Sequence, residues 1–272
     1  MINIEIEINK KKQLFNHPEC FNELLPHQLE KVVELFILNK NPLSERIGDK
    51  FMLLNSFLKL SHKKKENKKI FKTIDNLVNN NIIDNLLELQ DFLYKEQDFN
   101  NWIIKEINHN KNVFYGPKNY FSYMLFGEFI VADMLFMNYF QSEDKNILNK
   151  FIAVLYREKK ENFDVNSQAD IRKPFNSDFW DYRTEQLSSL DNITKQSILF
   201  NYASVRYWLT KKYPNVFNSE SKENKKSIEF GNNRSGWMNI RRNLAGDVFN
   251  LEKTDNLLLS DVLNDLNEKM SK

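Results

Sequence analysis

The stretch NYFSYMLFGEFIVADMLFMNYF, Asn119 to Phe140, is the most apolar in the chain, and its surroundings decide the fold. It is long enough to raise the question of a membrane, which takes about 20 apolar residues to cross. Glu128 and Asp133 lie near its middle, and each would cost roughly 2.5–3.5 kcal/mol at the bilayer centre. The flanks show no marked basic bias. The segment therefore reads as a helix buried in a protein core. Buried acids need partners, because an isolated charge in an apolar interior is strongly unfavourable. Arg206 is the natural candidate, since helical spacing puts it on one face with Leu199, Tyr202 and Leu209. Arg157 and Arg172 are the others. Glu128, Asp133, Arg157 and Arg206 are thus candidates for buried ion pairs that fix helix register. The sharper alternative is an acidic enzyme site in which an arginine orients a substrate.

Outward from this segment, most of the chain shows helical periodicity. ILNKFIAVLYREKK (147–160) carries Leu148, Phe151, Ile152 and Leu155 on one stripe. DNITKQSILFNYASVRYWLTKKYP (191–214) reads as a helix capped at Asp191 and ended before Pro214. Upstream, LLPHQLEKVVELFI places Pro26 in a first turn and aligns Leu29, Val32, Val33, Phe36 and Ile37. Further helices fit residues 44–60, 69–80 and 82–94. A last helix is expected with Thr254 as N-cap and Leu258, Val262, Leu263 and Leu266 as its stripe. At the N-terminus, Ile2, Ile4, Ile6 and Ile8 alternate with polar residues, the strongest strand signal in the chain. A strand must pair. The candidates are a short hairpin through Lys10–Lys12, the FDVNSQADIRKPF segment (163–175), or another chain. The expected fold is mainly α, a multi-helix globular bundle with a minor N-terminal β-strand or hairpin. Residues 1–272 read as a single domain with a soft boundary near 158–178.

Composition narrows the chemistry. Six Gly and six Pro in 272 residues leave little for tight turns or phosphate-cradling loops. A formal charge of +2 gives no global reason to expect nucleic acid. The lone Cys20 excludes an intramolecular disulfide and a multi-cysteine zinc site. It has no marked basic neighbour and reads as filler. His17, His27, His62 and His109 form no HExxH, ExxH or close pair, and each reads as a surface or capping residue. There is no GxGxxG, GxxxxGK[ST] or GxSxG. No cofactor or metal is expected. The N-terminus lacks the basic-then-apolar order of a signal peptide.

Two basic clusters remain. HKKKENKK (62–69) looks like a solvated loop. Arg234, Arg241 and Arg242 are interleaved with Trp237, as in some single-strand binders. With Lys63–Lys65 they would serve a nucleic-acid-associated factor. On a helix, however, Trp237, Ile240, Leu244 and Val248 fall on one stripe with Arg242 on the other side. That makes Trp237 a core or interface anchor, and the Trp–Arg combination favours protein docking. Trp237, Ile240, Arg241 and Leu244 are accordingly the candidate partner-binding residues. Ile2, Ile4 and Ile6 join them through edge pairing with another subunit's sheet.

Three stretches together resemble uncharacterised proteins from tail-gene regions of phages and prophages of Bacteroidetes-type bacteria. They are LNKFIAVLYREKK (148–160), ADIRKPFN (169–176), and GW-x7-AGDVF-x4-T (236–254) followed by a leucine-rich terminal helix. The resemblance implies a non-enzymatic morphogenesis protein, either a tail assembly chaperone or a minor virion structural component. Its partners would be other phage structural or tail proteins. Its place would be the cytoplasm of the bacterial host, with or without incorporation into the virion. It supplies no catalytic residues.

Overall fold

The alternating segment at the N-terminus pairs with the residues that follow it. In a computed structural model, β1 (Ile2–Ile8) runs antiparallel to β2 (Lys11–His17), with Ile2 opposite His17 and Ile8 opposite Lys11. The structure describes residues 1–8, 11–35, 57, 88–95, 98–164, 170–176, 180–217 and 235–271. The chain divides into two compact units, Met1–Phe99 and Asn100–Lys272. The described parts of the soft boundary read from the sequence, residues 158–164 and 170–176, lie within the second unit.

In the first unit, α1 (Pro26–Val33) begins on Pro26 as expected and buries Leu29, Val32 and Val33. The Gln28 side chain accepts the Leu25 N–H at 2.8 Å, a reach-back cap that holds the first turn. Asp91–Tyr94 is a 3-10 turn that buries Phe92 and Leu93. Phe21 stacks on Phe99, their centroids 5.2 Å apart. The helices expected over 44–60 and 69–80 lie outside the described residues, apart from buried Phe57.

The second unit opens with a hairpin that the sequence does not announce, β3 (Glu106–His109) against β4 (Asn112–Tyr115). Asn110 and Lys111 have φ of 48° and 65°, as a two-residue type I′ turn requires. Helices follow: α2 (Phe126–Ser142), α3 (Lys145–Leu155), α4 (Trp180–Ser188), α5 (Asn192–Lys212), α6 (Pro214–Phe217), α7 (Ser235–Ala245), α8 (Leu251–Asp255) and α9 (Leu259–Lys269). The described residues are thus mainly α-helical.

The apolar stretch is helical only in its second part. Tyr120, Phe121 and Tyr123 all have left-handed backbones, so regular helix starts at Phe126. From there α2 buries Phe126, Phe129, Ile130, Ala132 and Phe136 together with Glu128 and Asp133. No helix of the described residues is long and apolar enough to cross a membrane. Tyr202 of α5 is the hub of the core, with ring centroids of Phe136, Phe151 and Phe121 at 5.0, 4.9 and 5.3 Å.

The cap at Asp191 is present, its carboxylate accepting the Thr194 N–H at 2.8 Å. The helix expected to run on to Lys160 stops at Leu155, and the next residues are extended. Tyr115 and Arg157 form a β-bridge, as do Lys159 and Arg172. Two of the stretches that carry the phage resemblance therefore lie side by side. Thr254 is not the cap of the last helix. It sits within α8, buried, and its hydroxyl donates to the Asn250 carbonyl at 3.0 Å. Leu258 occupies the N-cap of α9 and is partly exposed, so the buried stripe is Leu259, Val262 and Leu263.

Candidate functional site

Both acids of α2 are buried, and each meets arginine in its own way. Glu128 Oε1 accepts from Arg172 Nη1 at 2.7 Å, and Oε2 accepts from Arg157 Nη2 at 3.0 Å. The two arginines come from the paired extended stretches beyond α3. Arg172 also forks onto Asp170 through Nε and Nη2, at 3.0 and 2.8 Å, and donates to the Leu155 carbonyl at 2.9 Å. Two carboxylates and two guanidiniums thus form one network with formal charges balanced. Burial pulls the Arg172 pKa down, but Glu128 and Asp170 outweigh it and leave it raised. For Arg157 burial wins, and its pKa is lowered. Its Nε and Nη1 have no hydrogen-bond partner among the described residues. Asp170 is held below the usual carboxylate range because its bonds to Arg172 outweigh its burial.

Asp133, more than a turn further along, takes Arg206. Arg206 donates through Nε at 2.5 Å to Oδ1 and through Nη2 at 3.3 Å to Oδ2. Tyr202 donates its hydroxyl to Oδ1 at 3.3 Å, and Trp237 donates its indole N–H to Oδ2 at 2.9 Å. The expected inward face of Arg206 is therefore present, while Glu128 pairs with Arg157 and Arg172 instead.

That last bond corrects the reading of α7. Trp237 is 7% exposed, edge-on to Phe129 at 5.2 Å and to Phe217 at 5.7 Å. Trp237 and Ile240 belong to the core, Leu244 is half-buried, and neither ring nor stripe is offered to a partner. Val248 is outside the helix altogether. Arg242 is exposed, whereas Arg241 forks onto Asp255 of α8. Arg234 and Lys63–Lys65 lie outside the described residues. On β1, Ile4 and Ile6 stand opposite Phe15 and Gln13, so one edge of that strand is taken by β2.

The other side of α7 borders an open cleft of about 740 Å³. Its walls are Leu125 to Met134 of the α2 region, Pro174–Asn176, Met238 and Arg241 of α7, and Glu252, Asp255 and Asn256 at α8. Val131, Met134, Phe175 and Met238 supply half-buried apolar surface, and methionine pairs of this kind adapt readily to a binding partner. Gly127 makes the geometry possible. A Cβ there would lie 2.7 Å from Cβ of Asp255, too close for α8 to pack. Between α7 and α8 the chain turns at Gly246, φ 66°, and Asp247 caps the turn by accepting the Phe249 N–H at 3.1 Å. This turn exposes Val248 and Phe249, at 75% and 93%. Sequence reading missed both the cleft and the turn, although the GDVFN run of a glycine, a capping acid and two apolar residues was the available signal.

His17 departs from its expected surface role. It is fully buried, its Nδ1 2.7 Å from the Pro18 carbonyl and its Nε2 3.1 Å from the Gln90 amide nitrogen. Burial lowers its pKa to about 4. Cys20 is half-buried. Among the described residues no three His, Cys, Asp or Glu side chains gather as a metal site needs. Comparison with protein-family models, curated proteins and solved structures finds no match for the chain.

Proposed function

We propose that this is a non-enzymatic docking protein, acting in phage morphogenesis as a tail assembly chaperone or minor virion component. The observation that carries the docking part is the cleft bordered by α7 and α8, with Met134, Met238 and Phe175 on its walls and Val248–Phe249 on the turn joining two of them. Its occupant is an apolar segment of a partner protein, with a basic residue to meet exposed Glu252 at the rim. The phage assignment rests on the sequence resemblance. The rival reading, an enzyme with a carboxylate–arginine site, would have to work with Glu128 and Asp133 already accepting from Arg157, Arg172 and Arg206.

Affinity capture of the tagged chain from phage-producing cells, followed by mass spectrometry and sizing, tests this. A tail or other virion protein at fixed stoichiometry is expected. Met238→Glu and Phe249→Ser should each release it without lowering the melting temperature of the bait by more than a few degrees. Capture of no virion protein, with a clean monomer, overturns the proposal.

A further inference from the structure

The turn from Gly246 to Asn250 holds two bare apolar side chains in a fixed shape. The Asn250 side-chain amide donates to the Ala245 carbonyl at 3.3 Å, and the Asn250 N–H donates to the Asp247 carbonyl at 3.1 Å. With the Asp247 cap, these bonds order the turn while Val248 and Phe249 stay almost entirely in solvent. Ordering in advance lowers the entropic cost of binding. The turn joins α7 to α8, and both helices wall the cleft. Met238, Arg241, Arg242 and Ala245 recur at helical spacing, so the cleft side of α7 leads directly to the turn. Beyond α8, exposed Leu257 and Leu258 continue the apolar surface, and Leu258 bridges to Leu125 on the cleft wall.

An apolar projection and an apolar hollow therefore lie side by side. Such a surface fits its own image under a two-fold rotation, because each projection then enters the other hollow. The charges permit it. Ser235 to Asp255 carries Arg241, Arg242 and Lys253 against Asp247, Glu252 and Asp255. Arg241 is held by Asp255, and Glu128 on the cleft wall by Arg157 and Arg172. The 174–176 wall has no charged residue. Two copies thus meet without the like-charge repulsion that excludes wrong partners, and exposed Arg242 beside the turn complements exposed Glu252 at the rim.

We propose that this face joins two copies of the chain in a two-fold dimer. Val248 and Phe249 of one copy pack against Met134, Phe175 and Met238 of the other, Arg242 meets the partner's Glu252, and the reciprocal contacts form across the axis. The inference rests on the reading of the cleft as a docking site, and it names the occupant of that cleft before a virion protein arrives. The virion protein must then displace the second copy, so dimer and complex exclude each other.

The test is sedimentation velocity of the purified full chain from roughly 2 to 200 μM, where interfaces anchored by few side chains dissociate. The mass should double with concentration and go no further, because a two-fold pair closes on itself. Phe249→Ser, at an almost fully exposed position, should raise the dissociation constant about thirtyfold, the effect expected of an aromatic anchor. Met238→Glu should act in the same direction. Mixing these two variants should restore a dimer of intermediate strength, since one still offers its turn and the other its cleft. Arg242→Glu should weaken the pair and Glu252→Arg in the same chain should restore it, a readout that stands should Met238→Glu fail to fold. A chain that stays monomeric at the highest concentration, open-ended growth, or a dimer indifferent to Phe249→Ser overturns the proposal. A monomer that captures a virion protein overturns the pairing and leaves the docking reading standing, whereas a dimer that captures none keeps the pairing and overturns that reading.

Discussion

Glu128 and Asp133 occupy the same helix, five positions apart, and solve the same problem differently. Glu128 is sealed beneath two guanidiniums that also serve Asp170, so four charges depend on one another and two Arg157 nitrogens find no hydrogen-bond partner among the described residues. Asp133 takes one guanidinium, still 20% exposed at its side chain, and completes its shell with neutral donors from Tyr202 and Trp237. Removing one member of a fully buried charge network strands the others, whereas a charge near the surface can turn to water. The difference lies in what the partners can do once the acid is gone.

The largest expected effect follows from that contrast. Glu128→Gln leaves two buried guanidiniums facing one carboxylate and should cost about 3–5 kcal/mol in urea unfolding. A cost below about 1 kcal/mol would mean that water reaches the network. The next effect comes from a buried group with the opposite solution, His17, which gives up its charge. Its folded pKa of about 4 lies below the ordinary value of 6.5. The unfolded chain therefore binds the proton more tightly, and stability is complete above pH 6.5 and declines as pH falls toward 4. The loss from this group should reach roughly 3 kcal/mol, and His17→Gln should flatten that part of the stability–pH curve.

Asp133→Asn should cost less, about 2 kcal/mol, because Arg206 can relax outward and the amide oxygen still accepts the indole N–H. Tryptophan emission should stay near its native wavelength. A loss equal to that of Glu128→Gln would erase the distinction between the two acids. The smallest effect belongs to the exposed Lys269–Asp265 pair on α9, where Asp265→Asn should change stability by no more than about 0.5 kcal/mol.

The features legible in sequence were those carried by neighbours along the chain. The Asp191 cap, the Pro26 start, the inward stripe of α3 and the inward turn of Arg206 all follow from spacings of three or four residues. The β3–β4 hairpin was not legible, because four-residue strands are too short to display alternation. Nor was the break at Tyr120–Tyr123, since nothing in its apolar composition signals left-handed backbone. The cleft was hidden for a different reason. Its walls come from α2, α7, α8 and the 174–176 stretch, and helical spacing assigns Met238 no role until Trp237 beside it is known to point inward.

By itself the sequence determined a mainly helical chain with a β element at its start, two acids inside an apolar helix and several arginines able to meet them. Tertiary structure decided which arginine met which acid. Periodicity ranks positions around a helix and says nothing about a segment 44 residues away, so the pairing of Glu128 with Arg172 waited on the chain folding back after α3. The fate of Trp237 was decided in the same way. A ring on an apolar stripe looks alike in a core and at an interface, and the Asp133 carboxylate, 104 residues away along the chain, drew its N–H inward.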